Sequence, residues 1–330
     1  MSVAQFAEAN FSRATGAGLD PHEYRRVTGR LAKLEEWPER FADVGRAHLA
    51  RADRAASAVS AAEHCRAAAR WFHFATLAPS RDRAQAAESA AASDRAMGRA
   101  LALAEPAAKR IEGPGFAGWL RGPGGASTVV VIPGMDSGKE EFHDVCTALL
   151  RRGATVFAMD GPGQGVLAAD TVIRADYHRV VGRVADALGA DRIGLVGLSL
   201  GGYFAAESAA RESRVAAAVT VSGPFRLDWD ALPPFVTETL TDRAGSLDAA
   251  RGFAGRVDLS GLAPRIEGPV LVIDGGRDVI PGVVNGAALA RLAPRGEYLS
   301  IDEGDHLLGN VRADWLPAAA DWLTARLQEA

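Results

Sequence analysis

Ser199 stands in the run Gly197-Leu198-Ser199-Leu200-Gly201, two residues from a glycine on either side. The apolar stretch RIGLVG leads into it, and an alanine-rich helical pattern, YFAAESAA, leads away. A serine at a sharp strand-to-helix corner is lifted clear of a sheet, where its hydroxyl can act as a nucleophile. So tight a corner leaves no room for side chains two positions either side of it. The plainer alternative is a glycine-rich turn carrying an incidental serine.

A hydroxyl is a poor nucleophile until a base takes its proton, so a histidine should accompany it. Of the seven histidines, His48, His64, His73, His143 and His178 sit in helical patterns, and His22 lies in the first turn of a helix. His306, in LSIDEGDHLLGN, instead follows a late strand. That is the side on which doubly wound sheets place their sites. His306 is therefore the expected base. Its imidazole needs a carboxylate to fix the tautomer and stabilise the cation. LVIDGGRDVIP offers two, Asp274 and Asp278. Asp274 closes the strand, where the turn can consume its side chain; Asp278, on the loop crest, is the expected partner. Asp302 and Asp305 flank His306 too closely to reach round to its far nitrogen.

A tetrahedral oxyanion needs preformed donors. The backbone N–H of Leu200, opening the helix after Ser199, is one candidate. The other is the amide of Met135, in the loop of VVVIPGMDSGKEEF. In that loop Asp136 and Lys139 read either as pocket lining or as solvated helix-start residues. Asp160, in MDGPGQG, reads as the organiser of a glycine turn.

These residues need a frame. From about residue 113 the short apolar runs FAGWLRGP, STVVVIPG, ATVFAMDG, RIGLVG, AAAVTVSG, PVLVIDGG and EYLSID alternate with helical stretches. Among the latter are a helix near Lys139, DYHRVVGRVADALG, and a closing ADWLPAAADWLTARL. Continuous apolar strands alternating with helices predict an α/β fold, a mainly parallel doubly wound sheet covered on both faces. Residues 1–112, rich in Ala, Arg and Glu, predict about four antiparallel helices. Asp20-Pro21-His22-Glu23 marks one start, Pro38 restarts a helix after Trp37, Ser60 and Glu63 have capping-box spacing, and a break falls at Pro79-Ser80. The expected division is therefore 1–112, all helical, and 113–330, catalytic.

Composition narrows the function classes. Over 330 residues the net charge is −4, with 48% hydrophobic and 24% charged residues. That balance gives no electrostatic footprint for nucleic acid or a membrane surface. The two cysteines, Cys65 and Cys146, lie in different segments and imply neither a disulfide framework nor a metal cluster. The start, MSVAQFAEANFSR, lacks a signal-peptide pattern, so a cytoplasmic location is expected. No metal or organic cofactor is implied: no zinc-binding helix motif is present, and the GPGQG glycines lack dinucleotide spacing. The expected partners are a small-molecule substrate and, in a homodimer, a second copy of the chain.

Taken together, IPGMDSGKEEF, DGPGQG, GLSLGG and the helical N-terminal region with WFHFA resemble one α/β-hydrolase group over nearly the whole chain. The group includes 2,6-dihydroxypseudooxynicotine hydrolase, the fermentation-respiration-switch-protein-like esterases and fungal polyketide-shortening hydrolases. The order Ser, Asp, His is the one this fold uses. The resemblance implies that the N-terminal helices form a cap, with Trp71, Phe72, His73 and Phe74 lining the substrate cavity; an aromatic stripe in the cap's own core is the alternative. It also implies an accessory carboxylate in the segment SGPFRLDWDALPPF, where this chain has Asp228 and Asp230 but no Glu. The expected activity is cleavage of a carbonyl substrate through an acyl-enzyme: the C–C bond of an aryl ketone or β-diketone, or an ester or thioester. Acyl transfer or cyclisation with the same triad, and a non-catalytic ligand receptor on the same scaffold, are the alternatives.

Overall fold

The computed structural model describes residues 2–78, 82–124 and 127–329. Five α-helices come first: α1 (Val3–Gly16), α2 (Pro21–Thr28), α3 (Trp37–Asp53), α4 (Ala58–Ala75) and α5 (Arg83–Ala104). Asp20 caps α2, accepting a hydrogen bond from the Glu23 N–H with Pro21 in the first turn, as the sequence predicts. In α4 the cap differs from expectation. Ser57, not Ser60, is the N-cap, and its hydroxyl accepts from the Ser60 N–H at 3.1 Å. The serine three residues upstream caps equally well, so spacing alone misplaces the start by one turn. The expected break at Pro79-Ser80 lies outside the described residues.

The sheet elements follow: β1 (Lys109–Gly113), β2 (Phe116–Arg121), β3 (Thr128–Ile132), α6 (His143–Leu150), β4 (Thr155–Asp160), α7 (His178–Leu188), β5 (Ile193–Leu198), α8 (Leu200–Ala209), β6 (Val215–Val221), β7 (Arg226–Leu227), α9 (Pro234–Ala244), α10 (Leu247–Ala254), β8 (Val270–Gly275), β9 (Val283–Val284), α11 (Ala287–Leu292), β10 (Gly296–Ile301) and α12 (Arg312–Gln328). Eight strands form one sheet in the order β1-β2-β4-β3-β5-β6-β8-β10. The pairings from β4 to β10 are parallel, and β1 and β2 run antiparallel at one edge. The sheet begins at Lys109, ahead of residue 113 where the sequence texture changes. Lys109-Arg110-Ile111-Glu112-Gly113 is a half-exposed edge strand, so it carries no apolar run to announce it.

Strands β3, β4, β5 and β8 are buried at every residue, as expected when helices cover both faces. Alternate side chains sort to opposite faces. Val130, Ile132, Leu195 and Val272 pack with α7, α8 and α10; Val129, Val131, Val196 and Ile273 pack with α6 and α12. The N-terminal helices have an aromatic core of their own, in which Trp37 stacks on Phe41 at 4.0 Å. They rest on loops at the carboxyl ends of the strands: α1 on the segment after β10, and α4 and α5 on the segment after β3. Gly16 and Gly309 meet so closely there that a methyl on Gly16 would lie 2.7 Å from the Gly309 Cα. Among the described residues no helix is long and apolar enough to cross a membrane.

Candidate active site

Ser199 is held at φ 54°, ψ −129° between β5 and α8, a strained conformation of the kind stored at functional corners. Its neighbours explain the glycines. A methyl on Gly197 would fall 2.0 Å from the Gly201 carbonyl oxygen, and one on Gly201 would fall 2.3 Å from that of Ile132. The Ser199 N–H is tied to the Val221 carbonyl at 2.8 Å. Across 107 residues of sequence, Ser199 Oγ lies 2.9 Å from His306 Nε2. His306 Nδ1 lies 2.9 and 3.0 Å from the two carboxylate oxygens of Asp278. The structure thus brings together the three residues expected to form the triad.

The loop carrying His306 is itself bent. Leu307 and Leu308 adopt left-handed conformations, φ 68° and 50°, and Ser222, also left-handed at φ 52°, accepts the Leu307 N–H at 3.0 Å. Asp274, the rejected carboxylate, is buried at the end of β8. Burial first, then the charge of Asp278, raises its pKa to about 6.

Leu200 opens α8, and Met135 sits in the loop after β3. Neither backbone N–H has a hydrogen-bond acceptor recorded among the described residues. The Met135 loop is anchored along its length. Gln164, buried in the GPGQG turn, donates to the Pro133 and Gly134 carbonyls at 2.7 and 2.8 Å. Its own oxygen accepts from the Tyr177 hydroxyl at 2.8 Å and the Gly161 N–H at 2.9 Å. Arg13 of α1 grips Glu141 through two bonds of 2.7 and 2.9 Å and donates to Asp136 at 3.1 Å and Ser137 at 3.0 Å. Burial opposes ionisation of Asp136 and Glu141, yet Arg13 outweighs it and holds both below the usual carboxylate range.

Asp160 organises the glycine turn as read, accepting from the Val166 N–H, and it also accepts the backbone N–H of Lys139. Lys139 is neither solvated nor in contact with the cavity. Its ammonium is buried against Asp160 at 2.7 Å, Glu140 at 2.8 Å and Asp94 of α5 at 2.9 Å. Burial works against that charge, but the three carboxylates keep the lysine protonated well above its ordinary range. Glu140 shifts the other way, upward, because burial and the charges of Asp160 and Asp94 outweigh the attraction of Lys139.

A cavity of about 1150 Å³ lies between the N-terminal helices and the sheet loops. Asp136, Ser137, Glu140, His73, Thr76 and Leu77 are in its wall; Ser199 and His306 are not. Gly134 packs between Ser137 of that wall and the nucleophile: an added methyl would lie 3.0 Å from Ser199 Cβ and 3.2 Å from the Ser137 hydroxyl. Of the aromatic run in α4, His73 faces the cavity and contacts Glu141 at 2.9 Å. Trp71 and Phe74 do not line it, contrary to what the resemblance implies. They turn into the helical core, Trp71 against Phe41 at 5.0 Å, because His73 projects from the other face of the helix, toward the cavity that Thr76 and Leu77 line just beyond its end. Asp230 is also corrected: it is exposed on the surface, paired with Arg251 at 3.0 Å, and outside the cavity wall, and Asp228 caps the same exposed turn. Gln164, Arg13, Glu141 and Ser222 are the site residues that sequence reasoning missed. The amide side chain set among the glycines of GPGQG was the one available signal.

A match to the alpha/beta hydrolase fold spans residues 127–254. The chain is 32% identical over 215 residues to 2,6-dihydropseudooxynicotine hydrolase of Paenarthrobacter nicotinovorans, covering 61% of this chain and 58% of that protein. It is 34% identical over 118 residues to a 20-hydroxy-prefusarin hydrolase of Gibberella moniliformis, covering 32% and 28% of the two. The chain therefore spans little more than half the length of the first relative and under a third of the second. The crystal structure of 2,6-dihydroxy-pseudo-oxynicotine hydrolase superposes with a TM-score of 0.85 at 26% identity, over 96% of both chains.

Proposed function

We propose, from its α/β-hydrolase fold, that this chain is a serine hydrolase cleaving a small carbonyl compound through an acyl-enzyme. The observation that carries the reading is the unbroken hydrogen-bond chain from Ser199 through His306 to Asp278. His306 Nε2 takes the hydroxyl proton as Ser199 Oγ attacks the carbonyl carbon. Asp278 accepts from Nδ1–H and stabilises the imidazolium. The amides of Leu200 and Met135 hold the oxyanion. When the tetrahedral adduct collapses, the bond to the leaving group breaks with its electron pair, and His306 protonates the departing atom. Water, deprotonated by His306, then frees the acyl group and restores the serine.

The helices of residues 1–112 act as a cap, and the cavity beneath them receives the substrate beside Asp136 and His73. The relatives named as hydrolases of pseudooxynicotine and prefusarin compounds favour aryl ketones and β-diketones over simple esters. For such C–C cleavage the leaving group is a carbanion stabilised by an electron-rich ring or a second carbonyl. Ser199→Ala should lower turnover on the order of 10³-fold or more, because triad members act as a unit. A panel of aryl ketones, aryl esters and thioesters, with covalent labelling of Ser199 by a fluorophosphonate, tests this; near-normal turnover in the variant would overturn it. Turnover in heavy-oxygen water separates hydrolysis from acyl transfer, since only hydrolysis leaves label in the freed acid.

A further inference from the structure

We propose that Gln164 is a positioning residue that aims the Met135 N–H at the oxyanion, an inference resting on the serine-hydrolase reading above. Gln164 makes no hydrogen bond to Ser199 and does not itself line the cavity. Its carboxamide lies between two pairs of partners that fix which end is which. The nitrogen faces two carbonyls, of Pro133 and Gly134, which can only accept. The oxygen faces the Gly161 N–H, which can only donate, and the Tyr177 hydroxyl. A flipped amide would set its NH₂ against an N–H and its oxygen against two carbonyls, so one orientation survives.

The consequence for the loop follows from peptide geometry. In the planar trans peptide joining Gly134 to Met135, the carbonyl and the N–H point in opposite directions. By drawing the Gly134 carbonyl to itself, Gln164 turns the Met135 N–H away, toward the side on which Ser199 lies. Gly134 is packed directly against that serine, leaving 3.0 Å between its missing methyl position and Ser199 Cβ. The position requires glycine for the same reason. Tyr177 braces the arrangement: it is fully buried, stacks on Phe204 at 4.1 Å and gives its hydroxyl to Gln164. Burial raises its pKa well above the ordinary tyrosine value, so it remains a donor throughout the working range.

The test is the rate of Ser199 labelling by a fluorophosphonate, whose phosphonyl oxygen takes the oxyanion's place. In Gln164→Met the saturating labelling rate should fall on the order of 10²-fold, as when one oxyanion donor is lost. The probe concentration giving half that rate should stay unchanged, because ground-state binding does not use the donor. Gln164→Glu, which when protonated keeps one donor for one of the two carbonyls, should fall between Met and wild type. Tyr177→Phe retains the stacking and removes only the brace, so it should show a smaller loss in the same direction, and it serves if the Gln164 variants do not fold. Saturating rates equal to wild type in folded Gln164→Met, or in Tyr177→Phe should the former not fold, would overturn the proposal. A rise in the half-saturating concentration with an unchanged maximal rate would overturn it too. Wild-type protein that never labels at Ser199 defeats the serine-hydrolase reading itself, a result distinct from either.

Discussion

Asp278 and Asp274 lie four residues apart on one strand end, and the fold gives them opposite duties. Asp278 reaches the imidazole of His306, while Asp274 stays behind in the sheet with Oδ2 lacking a hydrogen-bond partner. Asp278→Asn should leave the backbone in place yet present an N–H to Nδ1, forcing the wrong tautomer. A loss in kcat of about 10⁴-fold is expected, the size seen for this change in other triads, with an unchanged thermal midpoint as the check on folding. The three residues that the fold joins by hydrogen bonds were legible in the sequence because each announces itself locally: a serine between glycines, and a histidine and an aspartate each in a loop after a strand. Gln164 was not, since its meaning depends on carbonyls 30 and 31 residues away that only the fold brings to it.

At the scale of elements, α1 does more than cover the sheet. Arg13 reaches across to Glu141, 128 residues further on, and ties α1 to the loop that carries Met135. Arg13→Met keeps the apolar stem but strands Glu141 and Asp136 without their cation. Removing one partner of a buried pair costs about 3–5 kcal/mol; the remaining contact from His73 to Glu141 argues for the lower end. The urea midpoint measures the stability loss, and slower fluorophosphonate labelling should accompany it as the loop loosens. The central strands could be read from their unbroken apolar runs. Strand β1 could not, because an edge strand half open to water carries polar residues, and the aromatic run of α4 could not be assigned to a face without knowing what packs on each side.

For the molecule as a whole, Asp274 sets a pH dependence of stability. Its folded pKa of about 6 lies above the roughly 3.9 of an unfolded chain, so the folded state holds the proton more tightly. Stability from this group is therefore full below about pH 4, falls as pH rises to about 6, and stays lower beyond, by roughly 3 kcal/mol in all. Asp274→Asn should abolish that fall; urea midpoints of variant and wild type at pH 4 and 7 would show the variant gaining relative stability at the higher pH. Lys139 bears on the whole architecture differently. Its ammonium is shared by Asp94 from the N-terminal helices and by Glu140 and Asp160 from the sheet layer, so hinging the two layers apart would part Asp94 from Lys139 and from Arg110 of β1. Lifting the roof off the chamber would thus cost a carboxylate its two cations at once, so the helical layer is pinned at that seam and does not swing freely.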